Sequence, residues 1–369
     1  MHTTETLTEA ARMMTICNAC RYCEGLCAVF PAMQRRRVFT DGSLDYLANL
    51  CHSCGACYYD CQYAPPHEFA VNVPQIFATL RSESYAHYAW PSAFTSLFVR
   101  NGFVVTLLAS LAVTLFIGTF VAMHDRETLF GVHSGPGAFY RLMPHETMVI
   151  LFGGVFLFAI LAIVLSVRIF WQHTGGGSVT LVDLLAAGHA AATLQYLDGG
   201  GVGCMNEDEH PTDRRRFYHH CTFYGFLLCF ASTSLATILH NGLGWQAPYA
   251  WYNPVVLLGS VGGIGLLIGP AGLLHAKKRR DPRIVHREAR GMEVAFLVML
   301  MLTSASGLLV LILRATPLMG VLLAFHLGVV FALFLSFPYG KFVHGIYRYT
   351  ALVRSAQESR STARHTAEG

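Results

Sequence analysis

Eight of the eleven cysteines fall between Cys17 and Cys61, in two runs of identical spacing. The first is Cys17, Cys20, Cys23 and Cys27; the second is Cys51, Cys54, Cys57 and Cys61. Both read C-x-x-C-x-x-C-x-x-x-C. Three cysteines so closely set can wrap one face of a cubane iron–sulfur cluster with a short loop, and the fourth thiolate must come from elsewhere. Where two clusters share such runs, the fourth cysteine of each run serves the other cluster. That rule groups Cys17, Cys20 and Cys23 with Cys61, and Cys51, Cys54 and Cys57 with Cys27, as ligands of two [4Fe-4S] clusters. Structural zinc seldom uses two identical four-cysteine runs, and disulfides belong to oxidising compartments. A proline commonly follows the fourth cysteine of such a run. Here Ala28 and Gln62 stand there, with Pro31 and Pro65 a few residues on, so the local turn differs.

Histidines are the second group with chemistry to offer. The apolar stretches of the chain contain almost no acidic or lysine side chains, yet His219, His220, His240, His275, His326 and His344 stand in or beside them. Polar groups at membrane depth are costly and are functional candidates by default. His326 and His344 are 18 residues apart, five full helical turns and a rise of about 27 Å. His219 returns to within about 60° of the face of His240, whereas His220 does not unless the helix bends. Two helices with two histidines each could hold haem b by imidazole ligation, one group near each side of a bilayer. His219 or His220 with His344 would form the inner pair, and His240 with His326 the outer. Either one haem or two fits this pattern. His275 stands beside Lys277 and Lys278 and reads as an interfacial residue.

The elements that must position these groups follow from composition. Hydrophobic residues make up 53% of the 369 and charged residues 13%, about half the charged share of a soluble domain. The net charge of +4 is no sign of nucleic-acid binding. Residues 1–67 are polar and cysteine-rich, and 68–100 form a connector whose Phe69, Ile76, Phe77, Leu80, Tyr85, Tyr88 and Trp90 suit a membrane boundary. Six apolar stretches follow near 101–122, 148–170, 219–240, 254–275, 291–313 and 317–344, each long enough to cross roughly 30 Å of hydrocarbon. The last is longer than a bilayer requires and has room to bend near Pro338. Together 101–350 make a six-span domain, and 351–369 a polar tail. The expected fold is all-α. Basic residues gather at Arg214–Arg216, at Lys277–Arg290 and at Lys341, Arg348 and Arg354, while 241–253 has no charge. The positive-inside rule then puts both termini and loop 171–218 in the cytoplasm. The polar start, Met1 to Ala11, agrees with this. The fourth stretch carries Gly259, Gly262, Gly263, Gly265, Gly269 and Gly272, a pattern for close helix packing.

Loop 171–218 contains His189, the run Gly199-Gly200-Gly201-Val202-Gly203-Cys204, and Glu207, Asp208, Glu209 and His210. No strand–glycine–helix context surrounds the run, so it is a docking or structural loop rather than a nucleotide site. Cys204 is a lone thiol, and Cys221 and Cys229 fall inside a span and pack there. The chain has no Rossmann fingerprint, P-loop or flavin motif.

Together the two cysteine runs, the six spans, the segment Tyr196-Leu197-Asp198-Gly199-Gly200-Gly201-Val202-Gly203-Cys204 and the segment Arg216-Phe217-Tyr218-His219-His220-Cys221-Thr222-Phe223-Tyr224-Gly225-Phe226 resemble the tricarballylate (citrate) utilization protein B family over essentially the whole chain. The long linker 28–50 resembles that of the alpha-helical ferredoxin domains of fumarate-reductase and heterodisulfide-reductase partners, which implies helices around the clusters. The stretch from His326 through Phe337-Pro338-Tyr339 to His344 looks like the haem-bearing helix of the respiratory nitrate reductase membrane subunit. The family resemblance implies a protein of the bacterial cytoplasmic membrane. It would reoxidise the reduced flavin of a separate FAD-containing tricarballylate dehydrogenase and pass electrons through iron–sulfur clusters and haem b to quinone. Two other readings stand beside it: a self-contained membrane reductase with its own small substrate, which would turn over without a flavoprotein, and a membrane redox sensor, which would bind a signalling partner without reducing quinone.

Overall fold

The computed structural model describes residues 4–99 and 101–368. Among them the regular structure is helical, with no β pairing beyond one isolated bridge between Cys204 and Thr212. The N-terminal domain is built from α1 (Thr4–Cys20), α2 (Val29–Gln34), α3 (Asp41–Leu50), α4 (Ala56–Tyr59) and α5 (Val73–His87). At its centre is α3. Its N-cap Thr40 accepts a hydrogen bond from the Ser43 N–H at 3.3 Å, and every residue from Gly42 to Leu50 is buried. Leu44, Leu47, Phe77 and Leu80 are packed into one core, each contributing roughly 1.5–3 kcal/mol for leaving water. Polar groups are tolerated there because they are bonded: the Asn49 amide donates to Ser84 Oγ at 3.0 Å, and Tyr88 O–H donates to the Asp45 carboxylate.

The segment between this domain and the first span is not a separate layer. Asn72 caps α5 by accepting from the Gln75 N–H. Ile76, Phe77 and Leu80 of α5 then belong to the N-terminal core, while Tyr85 and Tyr88 at its end pack on Phe170 and Tyr347 of the membrane part.

Next in chain order come α6 (Ser96–Val99), α7 (Asn101–Met123), α8 (Arg126–Leu129), α9 (His145–His173), α10 (Leu181–Ala192), α11 (Arg214–Leu243), α12 (Pro254–Lys278), α13 (Arg290–Leu313), α14 (Met319–Ser336) and α15 (Val343–Glu368). Among the described residues six helical segments are long and apolar enough to span a membrane: α7, α9, α11, α12, α13, and α14 with its short 3-10 extension to Tyr339. Leu107, Leu111 and Leu115 of α7 and Ile150, Leu157 and Leu161 of α9 are exposed, which is stable only against lipid. These features mark a multi-pass membrane protein.

α11 lies along α12, α12 on α13, α13 on α14, and α14 on both α7 and α9. The first of these contacts depends on glycine. A Cβ on Gly262 would stand 2.8 Å from the Gly225 carbonyl oxygen, leaving no room for any side chain. On the other side of α12, Ser304 Oγ donates to Gly263 O at 2.6 Å.

The last apolar stretch breaks where Pro338 removes a backbone donor. α14 ends at Ser336, a 3-10 turn holds Phe337–Tyr339, and α15 begins at Val343. Residues 351–368, read from sequence as a polar tail, continue α15, and its stretch 351–358 docks on the N-terminal domain. Ala351, Leu352 and Val353 join its core. Arg36 and Arg354 both stack over the Tyr46 ring, at 4.7 and 4.6 Å, and Glu358 accepts from Arg36 at 2.5 Å. The N-terminal domain is thus fastened to the membrane helices at both its ends.

Candidate metal centre

Helix α1 ends on the first cysteine run, with Cys17 and Cys20 in its last turn. Arg21 then takes a left-handed φ of 56° and turns the chain back, so that Cys23 faces its two predecessors. Cys17, Cys20, Cys23 and Cys61 line one cavity, with Ile16 and Tyr22. In the second run Cys51 is the C-cap of α3. Ser53 and Gly55 both have positive φ, and a Cβ on Gly55 would lie 3.0 Å from Ile284 Cδ1, so glycine is needed there twice over. Cys51, Cys54 and Cys57 line a second cavity with Cys27 and Tyr196. Each cavity therefore holds three cysteines of one run and the last cysteine of the other. Cys57 borders both, so the cavities are adjacent.

The donor set fits iron–sulfur clusters. All eleven thiols are free of disulfides. Burial, reinforced by Cys23, Cys61 and Cys20, pushes the Cys17 thiol up to about 12. Burial likewise pushes Cys23 up to about 12 and Cys54 up to about 11. Groups so placed carry thiolate charge together only around a cation, whose binding releases their protons. Among the described residues no three His, Cys, Asp or Glu side chains converge on a single-ion position. A zinc ion with bonds of about 2.3 Å would gather its sulfurs to about 3.8 Å of each other. Cysteines that share a cavity without closing on one point suit a polynuclear cluster, with each thiolate on its own iron.

The histidines are sorted differently from each other. His219 of α11 and His344 of α15 face one another with ring centroids 6.1 Å apart. An iron bonded to an imidazole on each side at about 2.0 Å sets the centroids roughly 6 Å apart. His344 Nδ1 is held by the Lys341 carbonyl, which leaves Nε2 available, the arrangement that suits a metal-ligating histidine. His220 instead stacks on Tyr224 at 5.7 Å. His240 stacks on His145 at 3.9 Å, too close for an iron between them, and its Nδ1 is 3.3 Å from Tyr140 Oη. His326 Nδ1 bonds Ser306 Oγ at 2.9 Å. The structure thus brings His219 to His344 and gives His240 and His326 other partners.

Residues 10–87 match the citrate utilization protein B Fer4-like domain, and residues 96–365 match citrate utilization protein B itself. The chain belongs to the citrate utilization protein B family. Citrate utilization protein B of Escherichia coli is 48% identical over 360 residues, which cover 97% of this chain and 94% of that protein. No solved structure matches the chain significantly. A Fer4-like domain joined to a six-helix membrane part gives this family member an iron–sulfur electron-transfer role.

The glycine run of the family's membrane part is a cover for the second cavity. Gly199, Gly200, Gly201 and Gly203 all have positive φ, and a Cβ on Gly200 would stand 2.8 Å from Leu26, next to Cys27. Met205 N–H donates to the Cys54 carbonyl at 2.9 Å, and Cys204 is buried with Leu194 and Leu197 against Cys54. Tyr59 O–H reaches Asp281 Oδ2 at 2.7 Å. Sequence spacing gave no signal for this contact, because loop and cysteine run are far apart in the chain. His145 was likewise missed: it sits at the very start of α9 and looks like a capping residue.

Proposed function

We propose that this chain takes electrons from the reduced flavin of a separate tricarballylate dehydrogenase and delivers them to membrane quinone. Two [4Fe-4S] clusters and one haem b, when bound, supply one-electron carriers on the way. The supporting observation is a tie between the second cysteine cavity and the histidine pair. Arg215, one turn before His219, donates to Ser53 O at 2.7 Å. Arg348, one turn after His344, donates to Cys51 O at 2.8 Å. Both helices that present a histidine are therefore fixed to the loop that presents the thiolates.

The residues divide the work along a line. Cys17, Cys20, Cys23 and Cys61 hold the outward position, where Tyr22 is 71% exposed and a soluble flavoprotein has access. Cys51, Cys54, Cys57 and Cys27 hold the inward one, under the glycine loop. His219 and His344 would hold the haem, at the cytoplasmic edge of the membrane in this reading. Farther in, Phe226 lies against Phe342 and Phe337, and Phe156 against Phe334 and Phe230, a packed seam that keeps water out of the layer. The basic residues at the ends of α11, α12 and α14 support a cytoplasmic position for the cysteine domain and both termini in this reading.

An anaerobic dithionite-reduced minus oxidised spectrum of the purified protein, with iron and haem measured on the same sample, tests this. Non-haem iron of about eight per chain, with haem bands, is expected. Iron without haem would return His219 and His344 to packing roles and take electrons directly from cluster to quinone.

A further inference from the structure

The Cys51–Ser53 backbone accepts hydrogen bonds from four arginines on four different parts of the chain. Arg81 of α5 donates to Cys51 O at 2.7 Å and to Ser53 Oγ at 2.9 Å. Arg215 of α11 donates to Ser53 O at 2.7 Å and His52 O at 3.4 Å. Arg280, just past α12, donates to Ser53 O at 2.9 Å. Arg348 of α15 donates to Cys51 O at 2.8 Å, and its Nε is buried without a partner. Among the described residues none of the four forms an ion pair. The nearby Lys277 and Lys341 share Glu293, so that carboxylate is engaged by the lysines rather than by the arginines. Arginine stays protonated even when enclosed. Four positive charges therefore surround a loop whose own polar groups are neutral carbonyls.

Among the described residues no such group of arginines converges on the outward run, whose backbone accepts, among arginine side chains, from Arg21 alone. Arg21 beside it is exposed and bonds Asn18 O, Arg12 is paired with Glu9, and Asp60 lies near enough to Cys23 to disfavour its thiolate. The two cavities offer the same kind of ligands in different electrostatic settings.

We infer that Arg81, Arg215, Arg280 and Arg348 are a cationic collar that makes the inward [4Fe-4S] cluster the higher-potential one, so that electrons arriving at the outward cluster are drawn toward the membrane. This rests on the two-cluster reading above. Reduction adds one electron and no proton to a cluster that is already anionic with four thiolates. Burial alone opposes that step, because the more negative state loses more hydration. Fixed positive charge favours it, and net charge and hydrogen bonding near the sulfurs are what set cluster potentials. The Ser53 N–H, 3.3 Å from Cys51 Sγ, acts in the same sense.

The test is an EPR-monitored redox titration of the full-length protein, with Arg280→Gln, Arg348→Gln and Arg280→Lys beside wild type, and Cys20→Ser to mark the outward signal. Glutamine keeps an N–H for the carbonyl and loses the charge. Each glutamine variant should lower the reduced-to-oxidised ratio of the inward cluster at fixed potential about tenfold, a midpoint lower by about 59 mV, with the outward cluster unmoved. Arg280→Lys should restore the wild-type midpoint. Full iron with an unmoved inward midpoint in both glutamine variants overturns the collar and leaves the clusters standing; so does a lysine variant that shifts as far as glutamine. Wild type without non-haem iron overturns the two-cluster reading itself.

Discussion

His219 of α11 and His344 of α15 stand with ring centroids 6.1 Å apart and their planes 68° to each other. Their neighbours sharpen the distinction among the histidines, because His220, His240 and His326 each have a different ring or hydroxyl partner. Replacement of His219 or His344 by leucine should remove most of the haem in a pyridine haemochrome assay. His220→Leu and His326→Leu should keep it. Full haem in His344→Leu would dismiss the pair as a binding site.

The crossed cavities predict which cysteines fail together. Cys27→Ala should behave like Cys54→Ser and lose the inward cluster, although Cys27 belongs to the first run. Cys61→Ala should behave like Cys20→Ser. In each case non-haem iron should fall from about eight to about four per chain, and flavin-to-quinone transfer should stop. Cys204→Ser, which packs on Cys54 without being one of the eight, should keep all its iron. An EPR signature for Cys27→Ala that matches Cys20→Ser instead would show that the runs do not cross.

The contact between α11 and α12 has no slack. Gly262→Val would put its Cβ 2.8 Å from Gly225 O and Cys229 N. Overpacking of this kind costs about 1–3 kcal/mol, and the displaced helix carries His219. The variant should unfold at lower temperature in detergent and bind less haem, with its iron unchanged. Gly242→Ala, near the other end of α11 in open space, should leave haem content unchanged.

Helix α15 is pinned at its far end by Arg360, whose guanidinium bonds Asp183 at 2.8 and 2.9 Å. That bond holds the Asp183 carboxyl well below the usual carboxylate range, helped by the capping Thr180. Because its folded value is depressed, the contribution is complete above about pH 4 and is lost only as pH falls through the lowered value. At neutral pH Asp183→Asn should speed hydrogen exchange in 181–192 and in the last turns of α15, with iron and haem intact. Unchanged exchange would mean that the apolar contact alone holds the two helices.

Much of this protein is legible in its residues before any fold is known. The spacing of Cys17 to Cys27 and Cys51 to Cys61 is local, so ligand chemistry can be read directly. The spans from Asn101 to Tyr339 are legible because lipid leaves a helix no option but an apolar run of fixed length. The turn at Pro338 is legible because proline has no N–H to continue the ladder. Arg215, Arg280 and Arg348 show where such reading stops. As residues in sequence they are basic groups flanking spans and serve as topology markers. In the fold each turns inward to a carbonyl of the Cys51–Ser53 loop.

Sequence alone determined the all-helical class, the six spans and the two four-cysteine runs, since each rests on local periodicity or spacing. Only the tertiary structure decided that His219 rather than His220 meets His344, that the glycine loop covers the inward cavity, that the start of the expected tail docks as part of α15, and that four arginines converge on one loop. Those facts depend on which faces of distant helices meet, and helix faces are chosen by packing across the whole chain, which no local pattern encodes.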